Sequence, residues 1–268
     1  MGRFPTANKS FGQHFLTSPK VISKITSPLP TGVDAIIEVG PGPAVLTPHL
    51  ASYKLPYYVI EMDERFVEIL SPIVGPDKIF RQDALEFDWK GFLALKDFKN
   101  IWLVSNLPYN ISVPLTLKFM QTPEITQMTL MYQKEVAEKI LPKDLRNAMG
   151  SLHVLCTSQF DVSHVVYAPP GAFSPPPKVE SQVLHFKRKE TPLIPLSKLL
   201  EFEKFLRLVF AQKRKQLGGI LKKEWGVPKT ESCLKTVGLD PQVRSEALKI
   251  EQVLQLYDCS MKYLEDSI

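Results

Sequence analysis

Ser105-Asn106-Leu107-Pro108-Tyr109-Asn110-Ile111-Ser112 is the stretch on which the reading of this 268-residue chain turns. It follows residues 101–104, an apolar run of the kind that makes a buried strand. Asn106 therefore stands where a strand of an open α/β sheet ends, the edge at which such sheets bind ligands. Its amide carries donors and an acceptor. Pro108 has no amide hydrogen and biases Leu107 to an extended shape, which keeps the Leu107 carbonyl out of a helix. Tyr109 adds a flat ring. The group can hold a planar amine: Asn106 Oδ1 and the Leu107 carbonyl accept its two hydrogens, and the ring stacks on its base. Taken alone, the four residues leave a plain proline turn equally open.

Three strand-like runs upstream end in the same way. Residues 35–39 lead into Gly40-Pro41-Gly42-Pro43-Ala44-Val45-Leu46-Thr47, with Glu38 just before the turn. A glycine-rich turn between strand and helix lets backbone come close to a ligand. Val45 stands where the dinucleotide fingerprint has its third glycine, which favours a ligand without phosphates. Residues 57–60 end at Glu61, about 20 residues on, the interval of an acid that binds ribose hydroxyls. The alternative is a helix-start carboxylate within Glu61-Met62-Asp63-Glu64. Residues 79–82 are followed by Asp83, an acid that can receive an adenine amine. Gly40, Glu61, Asp83 and Asn106 thus stand at the C-terminal ends of four successive strands.

Downstream, residues 114–120, 134–141 and 150–160 read as helices, and 128–132, 162–167 and 183–186 as strands. Phe173-Ser174-Pro175-Pro176-Pro177-Lys178-Val179 reads as a rigid extended loop with an exposed aromatic at its head. Phe173 could close the far face of a base stacked on Tyr109; an ordinary core phenylalanine is the alternative. After a linker at 191–195, Phe202, Phe205, Leu206 and Val209 have helical spacing. Short helices are expected from there to the end, broken at Trp225-Gly226-Val227-Pro228. In the N-terminal segment 9–16, Phe11, Phe15 and Leu16 are too apolar for a free tail, so it is expected to fold back over the main domain. His14 is read as a packing or ligand-contact residue.

A 44% hydrophobic and 23% charged chain is ordinary for a globular protein with a sizeable core. No stretch approaches the roughly 20 apolar residues of a membrane span. The start, Met1-Gly2-Arg3-Phe4-Pro5, has no apolar signal core, and a cytoplasmic location is expected. Cys156, Cys233 and Cys259 lack zinc spacing and read as reduced thiols; no metal is expected. The net charge of +5 is uneven: +4 over residues 1–24, +8 over residues 187–229 and −7 elsewhere. Two basic segments around an acidic body favour a polyanionic partner, through Arg3, Lys9, Lys213, Arg214 and Lys215. A solvated basic face is the alternative.

Five motifs in register carry a resemblance: Phe11-Gly12-Gln13-His14-Phe15-Leu16, Glu38-Val39-Gly40-Pro41-Gly42, Asn106-Leu107-Pro108-Tyr109-Asn110-Ile111-Ser112, Gln133-Lys134-Glu135-Val136 and Phe173-Ser174-Pro175-Pro176-Pro177-Lys178-Val179. With these the chain, from about residue 9 to 214, resembles the KsgA-type small-subunit (16S) rRNA adenine dimethyltransferases. The resemblance implies an α/β fold: a Rossmann-like class I methyltransferase domain over residues 1–189, and a small all-helical C-terminal domain over 190–268 with RNA contacts. It implies S-adenosylmethionine as methyl donor, and as acceptors two adjacent adenosines in the 3′-terminal hairpin loop of the small-subunit rRNA. The partner is then the 30S pre-ribosomal particle, with no membrane, and the protein a monomer. By resemblance, His14, Leu16, Gly40, Glu61, Asp83 and Asn106 would hold the donor; Asn106, Leu107, Tyr109 and Phe173 would form the catalytic set. Pro43 departs from the family's usual Leu and removes an amide from the turn. Ala148-Met149-Gly150-Ser151-Leu152 departs from its Tyr-Gly-Arg-Leu-Ser. Two other readings stay open: a non-catalytic rRNA-binding assembly factor, and an Erm-like enzyme acting on large-subunit rRNA.

Overall fold

The structure, a computed structural model, describes residues 13–144, 148–212 and 215–265. Its strands are β1 (Phe15–Leu16), β2 (Ala35–Val39), β3 (Tyr57–Ile60), β4 (Ile79–Phe80), β5 (Ile101–Asn106), β6 (Ile125–Gln133), β7 (Phe160–Ala168), β8 (Phe173–Ser174) and β9 (Ser181–Arg188). Seven of them form one sheet in the order β4-β3-β2-β5-β6-β9-β7, and β1 pairs with β8. The neighbours from β4 to β6 are parallel, while β9 is antiparallel to both β6 and β7.

Burial explains the parallel part. Every residue of β2 and β3 is buried, as is β5 up to Ser105. Strands covered on both faces read as continuous apolar runs, and these are the runs the sequence displays. β2 and β5 are neighbours, yet the chain leaves β2 toward β3 and β4 and then returns to the other side. Such a reversal opens a crevice at the strands' C-terminal ends. β4 is shorter than the expected 79–82, ending at Phe80, and Arg81 just beyond it makes a two-pronged pair with Glu64, both bonds 2.7 Å.

The chain divides into two compact units, one of residues up to Ala137 with Phe160–Glu190, the other of Glu138–Gln159 with Thr191–Ile268. The first holds the sheet. In the second, helix Ser151–Gln159 packs with helix Leu199–Val209. Gln159 Nε2 donates to the Ile194 carbonyl (2.7 Å), and Leu193 N–H to the Ser158 carbonyl (2.8 Å). The apolar stripe of Leu199–Val209 meets Tyr257, with ring centroids 4.9 Å from Phe202 and 5.2 Å from Phe205. The helices that follow are Leu217–Trp225, Val227–Val237 and Ile250–Glu265; the last, at 16 residues, is longer than the short helices expected. Its Val253, Leu256 and Tyr257 are all buried, and that i, i+3, i+4 stripe keeps it intact.

One expectation is corrected here. Phe173 is not an exposed loop aromatic. It is 4% exposed and belongs to the core with Phe15, Leu16 and Trp102. β8 pairs with β1, Phe173 opposite Leu16, and the Thr17 N–H donates to the Ala172 carbonyl (2.7 Å). That pairing turns the ring inward, where removing a large aromatic from water is worth more than exposing it.

Candidate active site

The tips of β2 and β5 are tied to each other before any ligand is considered. Ser105 Oγ donates to the Val39 carbonyl at 2.6 Å. Gly40 N–H donates to Ile60 O (2.9 Å), and Glu61 N–H to Phe80 O (3.0 Å), so each strand end is pinned to its neighbour. Gly40, Glu61, Asp83 and Asn106 then line one cleft of about 250 Å³, with His14, Leu16, Leu107 and Tyr109. Phe173 is not among the lining residues. Arg3, Lys9, Lys213 and Arg214 lie outside the described residues, and Lys215 is exposed.

Gly40 has φ +64°, and a Cβ built there would meet nothing within 4 Å. The backbone conformation calls for glycine, and the open space beside it belongs to the cleft. Glu61 is not a helix-start residue. Its Oε2 accepts the Gly42 N–H (2.9 Å) and its Oε1 the Asp63 N–H (2.8 Å). Burial pushes its carboxyl above the ordinary value, against the pull of those amides. Asp63 is the residue that caps helix Glu64–Val74, accepting from Arg65 N–H (3.2 Å). Hydrogen bonds from Arg65 hold the Asp63 carboxyl down at about 2. Asp83 Oδ1 accepts the Leu85 N–H at 2.8 Å.

At the other end of the cleft, Asn106 Nδ2 donates to the His14 carbonyl (3.2 Å). That bond orients the amide and leaves Oδ1 as an acceptor. Among the described residues no hydrogen bond ends on the Leu107 carbonyl. The two acceptors expected from the sequence are therefore both open. Tyr109 is fixed by its hydroxyl to Ser181 Oγ (2.7 Å), and Ser112 Oγ donates to its carbonyl (3.1 Å). The ring beside Tyr109 is His14, stacked with centroids 5.8 Å apart and planes 24° apart. His14 Nδ1 in turn donates to the Pro175 carbonyl at 2.9 Å.

Two features escaped sequence reasoning. Glu38 sits beneath the glycine turn, its Oε2 accepting from the Thr47 hydroxyl (2.8 Å) and from the Tyr57 hydroxyl. Burial raises its carboxyl to about 7. The sequence places Glu38 just before the turn, but nothing in the local pattern announces its pairing with Tyr57, because the two lie on different strands. Met62, 54% exposed, offers an apolar surface at the cleft. A hydrophobic residue directly after the Glu61 acid was the available signal.

The charge of the cleft decides its chemistry. Glu38, Glu61, Asp63 and Asp83 line it, and no Lys or Arg does among the described residues. A phosphate would meet carboxylates there and no lysine or arginine among the described residues. A cationic ligand with hydroxyl and amine donors would meet the partners it needs.

A family model described as ribosomal RNA adenine dimethylase matches residues 5–262. The chain is 34% identical over 254 residues to ribosomal RNA small subunit methyltransferase A of Neisseria meningitidis serogroup C, covering 93% of this chain and 95% of that protein. It is 35% identical over 266 residues to the protein of the same name from Cronobacter sakazakii, covering 97% and 94%. Among solved structures, a dimethyladenosine transferase from Plasmodium falciparum superimposes with a TM-score of 0.75 at 24% identity, over 95% of this chain and 99% of that one. The 23S rRNA methyltransferase ErmE does so with a TM-score of 0.67 at 23% identity, over 91% and 98%. These two likenesses carry the fold alone.

Proposed function

The chain belongs to the ribosomal RNA adenine dimethylase family, and we infer that it is an S-adenosylmethionine-dependent enzyme that dimethylates N6 of two adjacent adenosines in the 3′-terminal hairpin loop of small-subunit rRNA. The observation that carries this reading is the acidic cleft at the tips of β2 to β5, lined by no Lys or Arg among the described residues and ending in two open acceptors. The curated relatives are named for the small subunit. The Erm-like alternative has only a shared fold behind it, which does not choose a substrate, and a merely RNA-binding protein gives no reason for an acidic cleft.

The residues fit the donor. Glu61 would take the ribose hydroxyls with the lone pairs its two backbone amides leave free, Asp83 an adenine amine, and Gly40 the close backbone approach, with His14 and Leu16 closing the cleft. When bound, S-adenosylmethionine supplies an electrophilic methyl group on a positively charged sulfur. Asn106 Oδ1 and the Leu107 carbonyl hold the two hydrogens of the target amine. An adenine amine is a poor nucleophile, since its lone pair is drawn into the ring. Two acceptors favour a more tetrahedral nitrogen and fix the direction of the lone pair. The gain comes from alignment and from acceptors placed where positive charge develops. No strong base is required, since the product ammonium proton is acidic enough to leave to water. Tyr109 supplies a stacking face for an unstacked base, worth roughly 1–3 kcal/mol. Phe173, buried in the core, has no exposed face to add. After one transfer the amine keeps one hydrogen and needs only one of the acceptors.

The protein acts, in this reading, as a monomer on the 30S precursor particle in the cytoplasm. Among the described residues no helix is long and apolar enough to cross a membrane. The basic segment ending at Lys215 contacts the RNA backbone, so K215E should weaken binding at low salt and flatten its salt dependence; unchanged affinity would remove Lys215 from the contact set. The function itself is tested by mass analysis of rRNA fragments after incubating unmodified 30S and 50S particles with methyl-labelled donor. Two dimethylated adenosines in the 30S sample are expected. Label confined to 50S, or none, would overturn the reading.

A further inference from the structure

Outside the cleft, in the C-terminal unit, two helix faces bring reactive side chains into one cluster. Helices Val227–Val237 and Ile250–Glu265 pack against each other. Lys229 and Cys233 are four residues apart on the first, Cys259 and Tyr263 on the second, a spacing that puts each pair on one face. Across the seam the Lys229 Nζ lies 5.8 Å from the Tyr263 ring centroid, and it lies 5.1 Å from the ring centroid of Trp225, at the end of the preceding helix. With Lys229 set against Tyr263, the one-turn spacing on each helix brings Cys233 and Cys259 to face each other across the same seam. Lys229 is only 7% exposed, and among the described residues it forms no ion pair with a carboxylate. Among the described residues this ammonium, held over two rings, has no carboxylate within ion-pair distance, and its neighbours across the seam are the cysteines.

We propose that Cys233 and Cys259 are a dithiol site oxidised by hydroperoxides, with Lys229 the cation that steadies the thiolate. Cys259 is half-buried and reachable from water, whereas Cys233 is fully buried. Cys259 therefore reacts first. Its sulfur attacks one oxygen of hydrogen peroxide, the O–O bond breaks, and the products are the sulfenic acid and one water. The Cys233 sulfur then attacks the Cys259 sulfur. The S–S bond forms, the S–O bond breaks, and the hydroxyl leaves with the Cys233 proton as a second water. Two thiols lose two electrons and the peroxide gains them. Burial alone would keep Cys233 protonated, its thiol pushed up to about 12, and the Lys229 charge opposes that shift. The cross-link would staple the two helices, and a thiol reductant would release it.

The test uses the full chain, reduced, then treated with hydrogen peroxide in small excess, alkylated, digested and weighed. The expected product is a peptide pair joined through Cys233 and Cys259, lost on treatment with dithiothreitol, with buried Cys156 still a thiol. The oxidised protein should melt at a higher temperature than the reduced one. C233S should leave Cys259 as a sulfenic acid that dimedone traps, and K229M should slow the cross-link several-fold while the fold, checked by circular dichroism, persists. Overoxidation of Cys259 to the sulfinic acid with Cys233 still a thiol would overturn the proposal. So would a cross-link through Cys156. A K229M rate equal to wild type would remove Lys229 from it.

Discussion

The two flanks of the sheet treat their polar groups in opposite ways. On the β2–β5 side, the strand tips end in groups whose hydrogen bonding is left unfinished: Asn106 Oδ1, the Leu107 carbonyl, and the spare lone pairs of Glu61 and Asp83. On the β6–β9–β7 side, the polar groups are closed on one another. Trp102 Nε1 donates to Thr129 Oγ1 (2.9 Å), which lies 3.0 Å from His185 Nδ1, whose Nε2 lies 3.2 Å from Gln127 Oε1. Arg188 serves three carbonyls, those of Ile125 (3.0 Å), Met120 (3.1 Å) and Thr122 (2.9 Å), under the ring of Phe160. Buried polar groups cost stability unless they are paired. The open ones are therefore tolerable only at a solvent-facing tip, where a ligand or water can complete them.

The sharpest break of that contrast is at Asn106. N106A should lower the rate of methyl transfer by about 10²–10³, the cost of removing one placed acceptor, at roughly 3–4 kcal/mol. Thermal shift with S-adenosylmethionine should remain; a variant of wild-type rate would show that the open amide is idle. R188M should do the reverse. It strands three carbonyls and should cost about 3–4 kcal/mol in denaturant unfolding, with the rate per folded molecule unchanged.

Glu38 joins the two behaviours, since it lines the cleft yet is closed by Thr47 and Tyr57. Its carboxyl rises from an ordinary 4.5 to about 7 because of burial. An acid with a raised pKa in the folded state stabilises the fold while protonated. That contribution is whole below about pH 4.5 and is lost as pH climbs through 7, for about 3 kcal/mol in all. Melting temperature should accordingly fall between pH 5 and 8, and E38Q should flatten the slope; an equal slope in the variant would assign it elsewhere. The smallest effect is expected at Thr129. T129V severs the Trp102–Thr129–His185 chain and should cost about 1–2 kcal/mol without touching the rate, as urea unfolding and a turnover assay would report.

While the order of the strands in the sheet came from the tertiary structure, the sequence by itself determined the strands of the binding half and the residue at each tip. Those features are local: a short apolar run, then Gly40, Glu61, Asp83 or Asn106 at the turn, where chain direction and residue chemistry already limit the choice. Pro108 determined the free Leu107 carbonyl in the same way, by removing a donor and barring a helix. Only the tertiary structure decided what Phe173 and Glu38 do. Tyr109 and Phe173 look alike in sequence, each an aromatic within two residues of a proline. One is held at the cleft by Ser181, and the other is rolled into the core by the pairing of β8 with β1. Glu38 found Tyr57 nineteen residues away on the next strand. Such partners are set by packing between segments distant in the chain, and no local period or turn residue encodes them.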